Sequence, residues 1–178
     1  MAFGIAGIAQ KGAVLFYGNG YGPVGTAMMI ESIIILFLGW SNTLGTQYLV
    51  PTNRVHKYTQ SVMIGAGINI ILNIPLINFF GLDGAMFATV ISQFIIILYQ
   101  FNLVKNELNF HMMFRDNHKY LFSGLLMFIV VYYMNNKMSG NFISLVIQII
   151  IGAIIYIIMM FLLRGHLLKV IFNKKSVN

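Results

Sequence analysis

Residues 59–103 read TQSVMIGAGINIILNIPLINFFGLDGAMFATVISQFIIILYQFNL, and Asp83 is the only charged residue among them. Two apolar runs flank the motif FFGLDG at 79–84, whose glycines and aspartate are typical of turns. Each run is close to the roughly 20 residues that an α-helix needs to cross a hydrocarbon core. The stretch therefore predicts two membrane-spanning helices, at 59–79 and 85–103, joined by a short turn.

The composition of the whole chain extends this interpretation. Of 178 residues, 58% are hydrophobic and only 8% are charged, whereas a soluble domain carries about 25% charged residues. So little charge cannot cover a water-facing surface, and it also argues against intrinsic disorder, which needs high charge. The apolar runs are near-continuous, whereas outer-membrane strands alternate apolar and polar residues. We therefore expect an all-α integral membrane protein.

The same criterion predicts four further spans, which makes about six transmembrane helices in total. Breaker residues separate them, including GNGYGP after the first span and PTN after the second. The polar segment at 105–118 is too short and too charged to span, and it is predicted to be a cytoplasmic interfacial linker. The predicted spans cover residues 1–17, 24–49, 59–79, 85–103, 120–134 and 142–163.

The lysines and arginines predict the orientation of these helices. Nine of the 11 cations fall in alternate loops and in the tail at 164–178, Lys137 lies on the opposite side, and Lys11 lies within the first span. Cytoplasmic loops carry the excess of lysine and arginine, so both termini are predicted to be cytoplasmic. The basic charge is thus a topology signal and a source of anionic-lipid contact, and we expect no nucleic-acid partner.

Polar side chains recur within the predicted spans. In the third span Asn69 and Asn73 share one helical face with Gly65, and the next helix carries Thr89 and Gln93. Such groups either join helices through hydrogen bonds and close packing or line a polar translocation cavity. The candidate cavity residues from these spans are Asn42, Gln47, Asn69, Asn73, Thr89 and Gln93.

Two charged residues lie inside predicted spans. Lys11 precedes the glycine-rich turn and Glu31 follows it, which places them about 10 and 14 Å below the same turn. They either form an ion pair that neutralises both charges, or Lys11 faces the cavity as a cation for an anionic substrate and Glu31 tunes it.

Signs of an enzyme are poor, so we expect no catalytic residue, metal or cofactor. The chain has no cysteine, which removes disulfides, thiolate metal sites and cysteine nucleophiles. Its four histidines fall in predicted loops or the tail without a metal-ligand spacing, and neither a Walker A loop nor GxSxG is present.

Residues 45–94 resemble the C-terminal half of Wzx-type polysaccharide flippases of the multidrug/oligosaccharidyl-lipid/polysaccharide exporter superfamily. The resemblance covers residues 1–105 by motif and the last two spans by hydropathy alone. It departs from the family at Asn78, where a proline is frequent, and at Gln93, where an acid is frequent. The matching positions are Gln47, Leu49, Pro51, Ser61, Gly65, Ala66, Asn69, Asn73, Leu76, Ile77, Phe80, Gly81, Gly84, Ala85, Ala88, Thr89 and Ser92.

The resemblance implies one lobe of a two-lobe transporter, with residues 1–104 and the helices at 119–163 belonging to the C-terminal portion of a longer or partial protein. The substrate would be an oligosaccharide repeat unit on undecaprenyl pyrophosphate, flipped across a bacterial plasma membrane for surface polysaccharide biosynthesis. An N-terminal lobe or polysaccharide assembly proteins would be partners. Arg54 and Lys57 would gather the anionic head group at the cytoplasmic mouth. The alternatives are a drug/cation antiporter of the same superfamily, using Glu31, and a non-transporting membrane scaffold.

Overall fold

A computed structural model describes residues 1–108 and 117–163, and these residues form helices and short turns without a strand. Three of the helices are long and apolar enough to cross a membrane, those at Gly22–Leu49, Val55–Val104 and Phe142–Leu162. The prediction of an all-helical protein is thus confirmed for the described residues, and three of the helices could span a membrane by length and composition. The helices are α1 (Ala2–Tyr17), α2 (Gly22–Leu44, continued by a π-helical turn at Gly45–Leu49), α3 (Val55–Val104), α4 (Asn117–Lys137) and α5 (Phe142–Leu162).

The 50-residue helix α3 folds back on itself at Gly81, the centre of the predicted turn. Gly81 has φ 57° and ψ −128°, a conformation that glycine adopts at little cost because it lacks a Cβ. Ser61 and Gln100, 39 residues apart, are joined by a hydrogen bond of 3.0 Å, whereas a straight helix would separate them by roughly 60 Å. Helix α3 is therefore a hairpin, whose arms at 55–80 and 82–104 match the third and fourth predicted segments.

The helix ends differ from the predicted boundaries by four residues or fewer, and the fifth segment was predicted too short at both ends. It was predicted at 120–134, but α4 runs from Asn117 to Lys137. The hydropathy criterion ended the segment where polar residues begin, yet a helix satisfies its own backbone hydrogen bonds and continues past the apolar run. Most of the predicted interfacial linker, at 109–116, and the whole basic tail, at 164–178, lie outside the described residues.

Small residues allow α1 to pack between α2, α4 and α5. Its buried positions are all alanine or glycine: Ala2, Ala6, Gly7, Ala9, Gly12 and Ala13. On the α2 side Gly25 lies so close to Gln10 that an added Cβ would be 2.7 Å from the Gln10 Cα. Side chains this small let helix backbones approach closely, which is how helices associate in a membrane.

The helices alternate in direction, which gives the bundle two ends. The Phe37–Phe94 and Trp40–Phe101 ring contacts set the second arm of α3 parallel to α2, so the Gly81 turn lies at the same end as Gly22. We call this the Lys11 end, because Lys11 contacts the 138–141 turn there. The opposite end, where Arg54 meets Glu107, is the Arg54 end.

Large apolar side chains cover the outside of the bundle. Ile70, Ile71 and Ile74 on the first arm of α3 are each about two-thirds exposed, and Ile143 on α5 is 73% exposed. Several amides and hydroxyls lie inside instead, including Gln100 and Gln148. A surface this apolar is stable in lipid rather than in water, which supports membrane association.

Candidate functional site

A short chain of hydrogen bonds joins the two arms of the α3 hairpin. Asn73 Nδ2 donates to Asn69 Oδ1 at 2.9 Å, and Asn69 Nδ2 donates to Thr89 Oγ1 at 3.4 Å. The Thr89 hydroxyl donates in turn to the carbonyl of Ala85 at 2.9 Å. All three side chains are half-buried. The predicted polar stripe therefore packs one arm against the other, as the helix-joining interpretation requires, and Gln93 lies half-buried farther along the second arm.

A second amide, that of Gln100, joins the two arms of the hairpin nearer the Arg54 end. Gln100 is fully buried and donates to the Ser61 hydroxyl at 3.0 Å, while its Oε1 has no hydrogen-bond partner within the described residues. Gly45 of α2 packs against this pair, because a Cβ there would lie 3.3 Å from Gln100 Nε2. The contact could have been anticipated from sequence, since a turn at Gly81 pairs positions whose numbers sum to about 160.

One face of α2 is open and carries two polar side chains, Glu31 and Asn42, with the apolar Leu38 between them. Glu31, Leu38 and Asn42 are spaced by seven and four residues, so they share this face, and all three are exposed. Thr43 and Gln47 beside it are also exposed, and the Thr43 hydroxyl donates to the carbonyl of Gly39 at 2.9 Å. We call this surface, defined by Glu31, Leu38 and Asn42, the α2 face.

Lys11 and Glu31 do not form the ion pair that their predicted depths allow. The Lys11 ammonium donates to the carbonyl of Met138 in the turn between α4 and α5. Glu31 is exposed and has no cationic partner in the part of the chain that the structure describes. The cause is the rotation of α1: Gln10 faces Gly25 of α2, so the next residue points about 100° away, toward α4 and α5.

At the Arg54 end the guanidinium of Arg54 binds the carboxylate of Glu107. Arg54 Nη1 lies 2.6 and 2.7 Å from the two carboxylate oxygens, and the Tyr48 hydroxyl donates to Glu107 Oε2 at 2.8 Å. Donation by Arg54 and then Tyr48 holds the pKa of Glu107 below its ordinary value, and the same contact raises the pKa of Arg54. Arg54 is thus paired with Glu107 in this conformation, whereas the side chain of Lys57 is exposed.

Replacing Glu107 by glutamine is expected to weaken the pH dependence of stability in acid. Because the folded pKa of Glu107 is lowered, its stabilisation is present above the unfolded pKa of about 4.3 and is lost as pH falls through the lower folded value. Thermal unfolding in detergent at pH 6 and pH 3 measures this loss, which should be small because the pair is about one-third exposed. Asp83→Asn, at the opposite end, is the control. An unchanged difference between the two pH values in Glu107→Gln would contradict the assignment.

The eight predicted cavity residues lie at three places. Lys11 is near the 138–141 turn, Glu31, Asn42 and Gln47 are on or beside the α2 face, and Asn69, Asn73 and Thr89 are inside the hairpin with Gln93 nearby. The predicted mouth residues Arg54 and Lys57 lie at the Arg54 end. Among residues 1–108 and 117–163 no group of three His, Asp or Glu side chains could hold a metal ion.

Comparison of the chain with protein-family models, with curated proteins and with solved structures finds no match.

Proposed function

We propose that the chain is one lobe of a membrane transporter that moves lipid-linked oligosaccharide repeat units across a bacterial plasma membrane. The observation that carries this proposal is the exposed carboxylate of Glu31 in the middle of α2. The motif resemblance of residues 1–105 to polysaccharide flippases supplies the substrate class.

The position of Glu31 argues for water or a protein partner at the α2 face. Glu31 lies nine residues after Gly22, about 14 Å along the helix, which is near the centre of a hydrocarbon core about 30 Å thick. A carboxylate at that depth costs roughly 2.5–3.5 kcal/mol in lipid and usually faces a cavity or a helix partner. The α2 face is therefore proposed to line an aqueous path against a second lobe.

We further propose six passes with both termini cytoplasmic. The hairpin supplies two of them, because its arms are antiparallel and separated at Gly81. Helix α1 has 16 residues and reaches about 24 Å, so it would cross a slightly thinned bilayer. The cation distribution then makes the Arg54 end cytoplasmic.

The exposed polar groups suit a sugar and pyrophosphate cargo. Asn42 and Gln47 offer amide donors and acceptors on or beside the α2 face, and Lys57 offers a positive charge at the cytoplasmic end. Arg54 would join Lys57 only after release from Glu107. Alternating access would follow from rocking the α2 face against the second lobe, as in other two-part transporters.

A second candidate is a drug/cation antiporter of the same superfamily. The exposed Glu31 favours it, since an acid in a membrane cavity binds cations or protons directly. One experiment distinguishes the flippase, this antiporter and a non-transporting scaffold, because each of them would give a different result.

The experiment is flipping of a fluorescent lipid-linked oligosaccharide in liposomes, by the chain alone and with a candidate N-terminal lobe. The chain alone, at one copy per vesicle, should show no flipping above protein-free liposomes, because a single lobe has no opposing surface. Addition of the lobe should give flipping, which Glu31→Leu should lower at least tenfold and Asp83→Asn should leave unchanged.

Other outcomes separate the alternatives. Robust flipping by the single chain would contradict the two-lobe mechanism. Cation-coupled drug transport without lipid flipping would identify the antiporter. Assembly with the lobe, but with neither transport activity, would identify the scaffold.

A further inference from the structure

Three segments of the chain meet around the carboxylate of Glu107 at the Arg54 end. Arg54 comes from the loop between α2 and α3, Tyr48 from the π-helical turn that ends α2, and Glu107 from the residues just after α3. Turns of π-helix are rare and occur frequently at functional sites. Among the described residues Glu107 is the only acid at this end, since Glu31 lies in the middle of α2 and Asp83 at the hairpin turn.

A small buried core fixes the backbone beneath these side chains. Leu49 and Val104 are fully buried in one apolar cluster, and the ring of Tyr48 packs against it. The carbonyl of Leu49 accepts a hydrogen bond from the Arg54 N–H at 2.9 Å, and that of Val104 accepts one from the Glu107 N–H at 3.0 Å. The core therefore positions the donors of Tyr48 and Arg54, which would keep their arrangement if the carboxylate left them.

The contact between Arg54 and Glu107 is one that a stronger ligand can replace. The same nitrogen, Nη1, contacts both carboxylate oxygens, whereas the strongest arginine pairs use two parallel N–H groups. The two side chains are 32% and 36% exposed, so a ligand can reach them from water, and ion pairs this exposed are weak. The guanidinium carries five N–H donors, which leaves it able to bind an anion in the stronger geometry.

Positive charge around the carboxylate favours an anion that carries more charge. Lys57 is exposed, and its charge adds to the hydrogen bonds from Arg54 and Tyr48 in lowering the pKa of Glu107. Lys105, two residues before Glu107, is also exposed. A carboxylate carries a single charge, whereas a phosphate monoester carries about −1.5 to −2 and has three acceptor oxygens. Because arginine binds both groups with the same fork geometry, a terminal phosphate or diphosphate suits these donors better than the carboxylate does.

The donors lie at the level of lipid head groups. Helix α2 and its π-helical turn form a segment of 28 residues, Gly22–Leu49, which is about 42 Å long. The hydrocarbon core is about 30 Å thick, and the bilayer with its head groups is about 40–45 Å thick. With Gly22 at one membrane surface, Tyr48 and Arg54 therefore reach the head groups of the opposite leaflet.

We propose that Tyr48, Arg54 and Lys57 form a binding site for a diphosphate head group, and that Glu107 occupies this site as an internal competitor. A diphosphate displaces the carboxylate, and the segment after α3 is then released from the loop between α2 and α3. The identity of the ligand, a lipid-linked diphosphate, rests on the proposed function. The competition by Glu107 adds the step that regulates access of this ligand to the site.

Equilibrium dialysis of the detergent-purified chain against radiolabelled inorganic diphosphate tests the internal competitor. Glu107→Gln is expected to bind the diphosphate about fivefold more tightly than the wild type, because the exposed ion pair no longer competes. Asp83→Asn is the matched control, since it removes the same negative charge at the other end of the bundle and should leave the affinity unchanged. A purely structural Glu107 would leave the affinity of Glu107→Gln unchanged or lower it.

Arg54 is tested in the same assay. Arg54→Gln is expected to lower the affinity about tenfold, alone and combined with Glu107→Gln, because it removes the charge-assisted hydrogen bonds to the anion. The matched control is Lys137→Gln, which removes an exposed cation at the Lys11 end and should have no effect. Circular dichroism and gel filtration identify the variants that fold, and Glu107→Ala is a second variant with the same expected gain as Glu107→Gln.

Displacement of the label distinguishes a lipid head group from a free anion. Undecaprenyl pyrophosphate is expected to displace the label at a much lower concentration than unlabelled inorganic diphosphate, because the lipid is concentrated in the micelle around the chain. Phosphatidylglycerol, a phosphodiester with one charge, should displace it weakly. Displacement by inorganic diphosphate alone would support the anion site and contradict the lipid substrate of the proposed function, so the two proposals fail separately.

Three results would overturn the internal competitor. The first is that folded Glu107→Gln and Glu107→Ala bind diphosphate no more tightly than the wild type. The second is that Asp83→Asn gives the same gain, which would make the effect one of net charge. The third is that folded Arg54→Gln keeps the affinity of the wild type.

Discussion

Replacing Gly25 by alanine is expected to destabilise the bundle by about 1–3 kcal/mol, the usual cost of overpacking a tight contact. The new Cβ would lie 2.7 Å from the Cα of Gln10 and 3.3 Å from the carbonyl oxygen of Ala9. Both atoms belong to the backbone of α1, so no side-chain rotation relieves the clash and the two helices must separate. Thermal unfolding in detergent measures the loss.

Gly39→Ala is the matched control on the same helix. A Cβ at Gly39 meets nothing within 4 Å, so this variant should be neutral or slightly more stable, because alanine favours helix more than glycine does. The same contrast exists in the hairpin, where Gly84 packs on the backbone of Leu76 and Gly67 is open. Equal stability of Gly25→Ala and Gly39→Ala would contradict the close packing of α1 on α2.

The helices could be predicted from sequence because membrane-spanning segments carry a strong local signal. The FFGLDG motif correctly located the reversal at Gly81, since a left-handed backbone conformation favours glycine. The helix-joining interpretation of Asn69, Asn73 and Thr89 also agrees with the structure, because Asn73 donates to Asn69 on the same arm and Asn69 donates to Thr89 on the other arm.

The rotation of each helix could not be predicted, and the candidate site depends on it. Depth in the membrane alone predicts that Lys11 lies opposite Glu31. The packing of the small residues of α1 instead directs Lys11 toward residues 138–141. Nothing near Arg54 in the sequence identifies Glu107, 53 residues away, as its partner. The burial of Gln148 likewise depends on how α5 packs on α1 and α4, which no pattern in a single sequence determines.

A cysteine at position 31 is expected to react with a membrane-impermeant maleimide in intact membranes. If the α2 face lines an aqueous path, the thiol there forms the reactive thiolate, whereas a thiol in hydrocarbon stays protonated and unreactive. The chain has no cysteine of its own, so each single-cysteine variant carries one reporter. Labelling at position 31 should exceed that of a lipid-facing position by at least tenfold.

Ile70 supplies the lipid-facing comparison at matched depth. It is 66% exposed on the first arm of α3 and lies 11 residues before Gly81, about 16 Å along the helix, whereas Glu31 lies about 14 Å from its own end. The deciding measurement is the labelling rate of Glu31→Cys against Ile70→Cys in membranes of cells that make the chain. Labelling is expected to be rapid at position 31 and absent at position 70 until the membrane is dissolved. Equal rates at the two positions, or no reaction at position 31, would contradict an aqueous path along the α2 face.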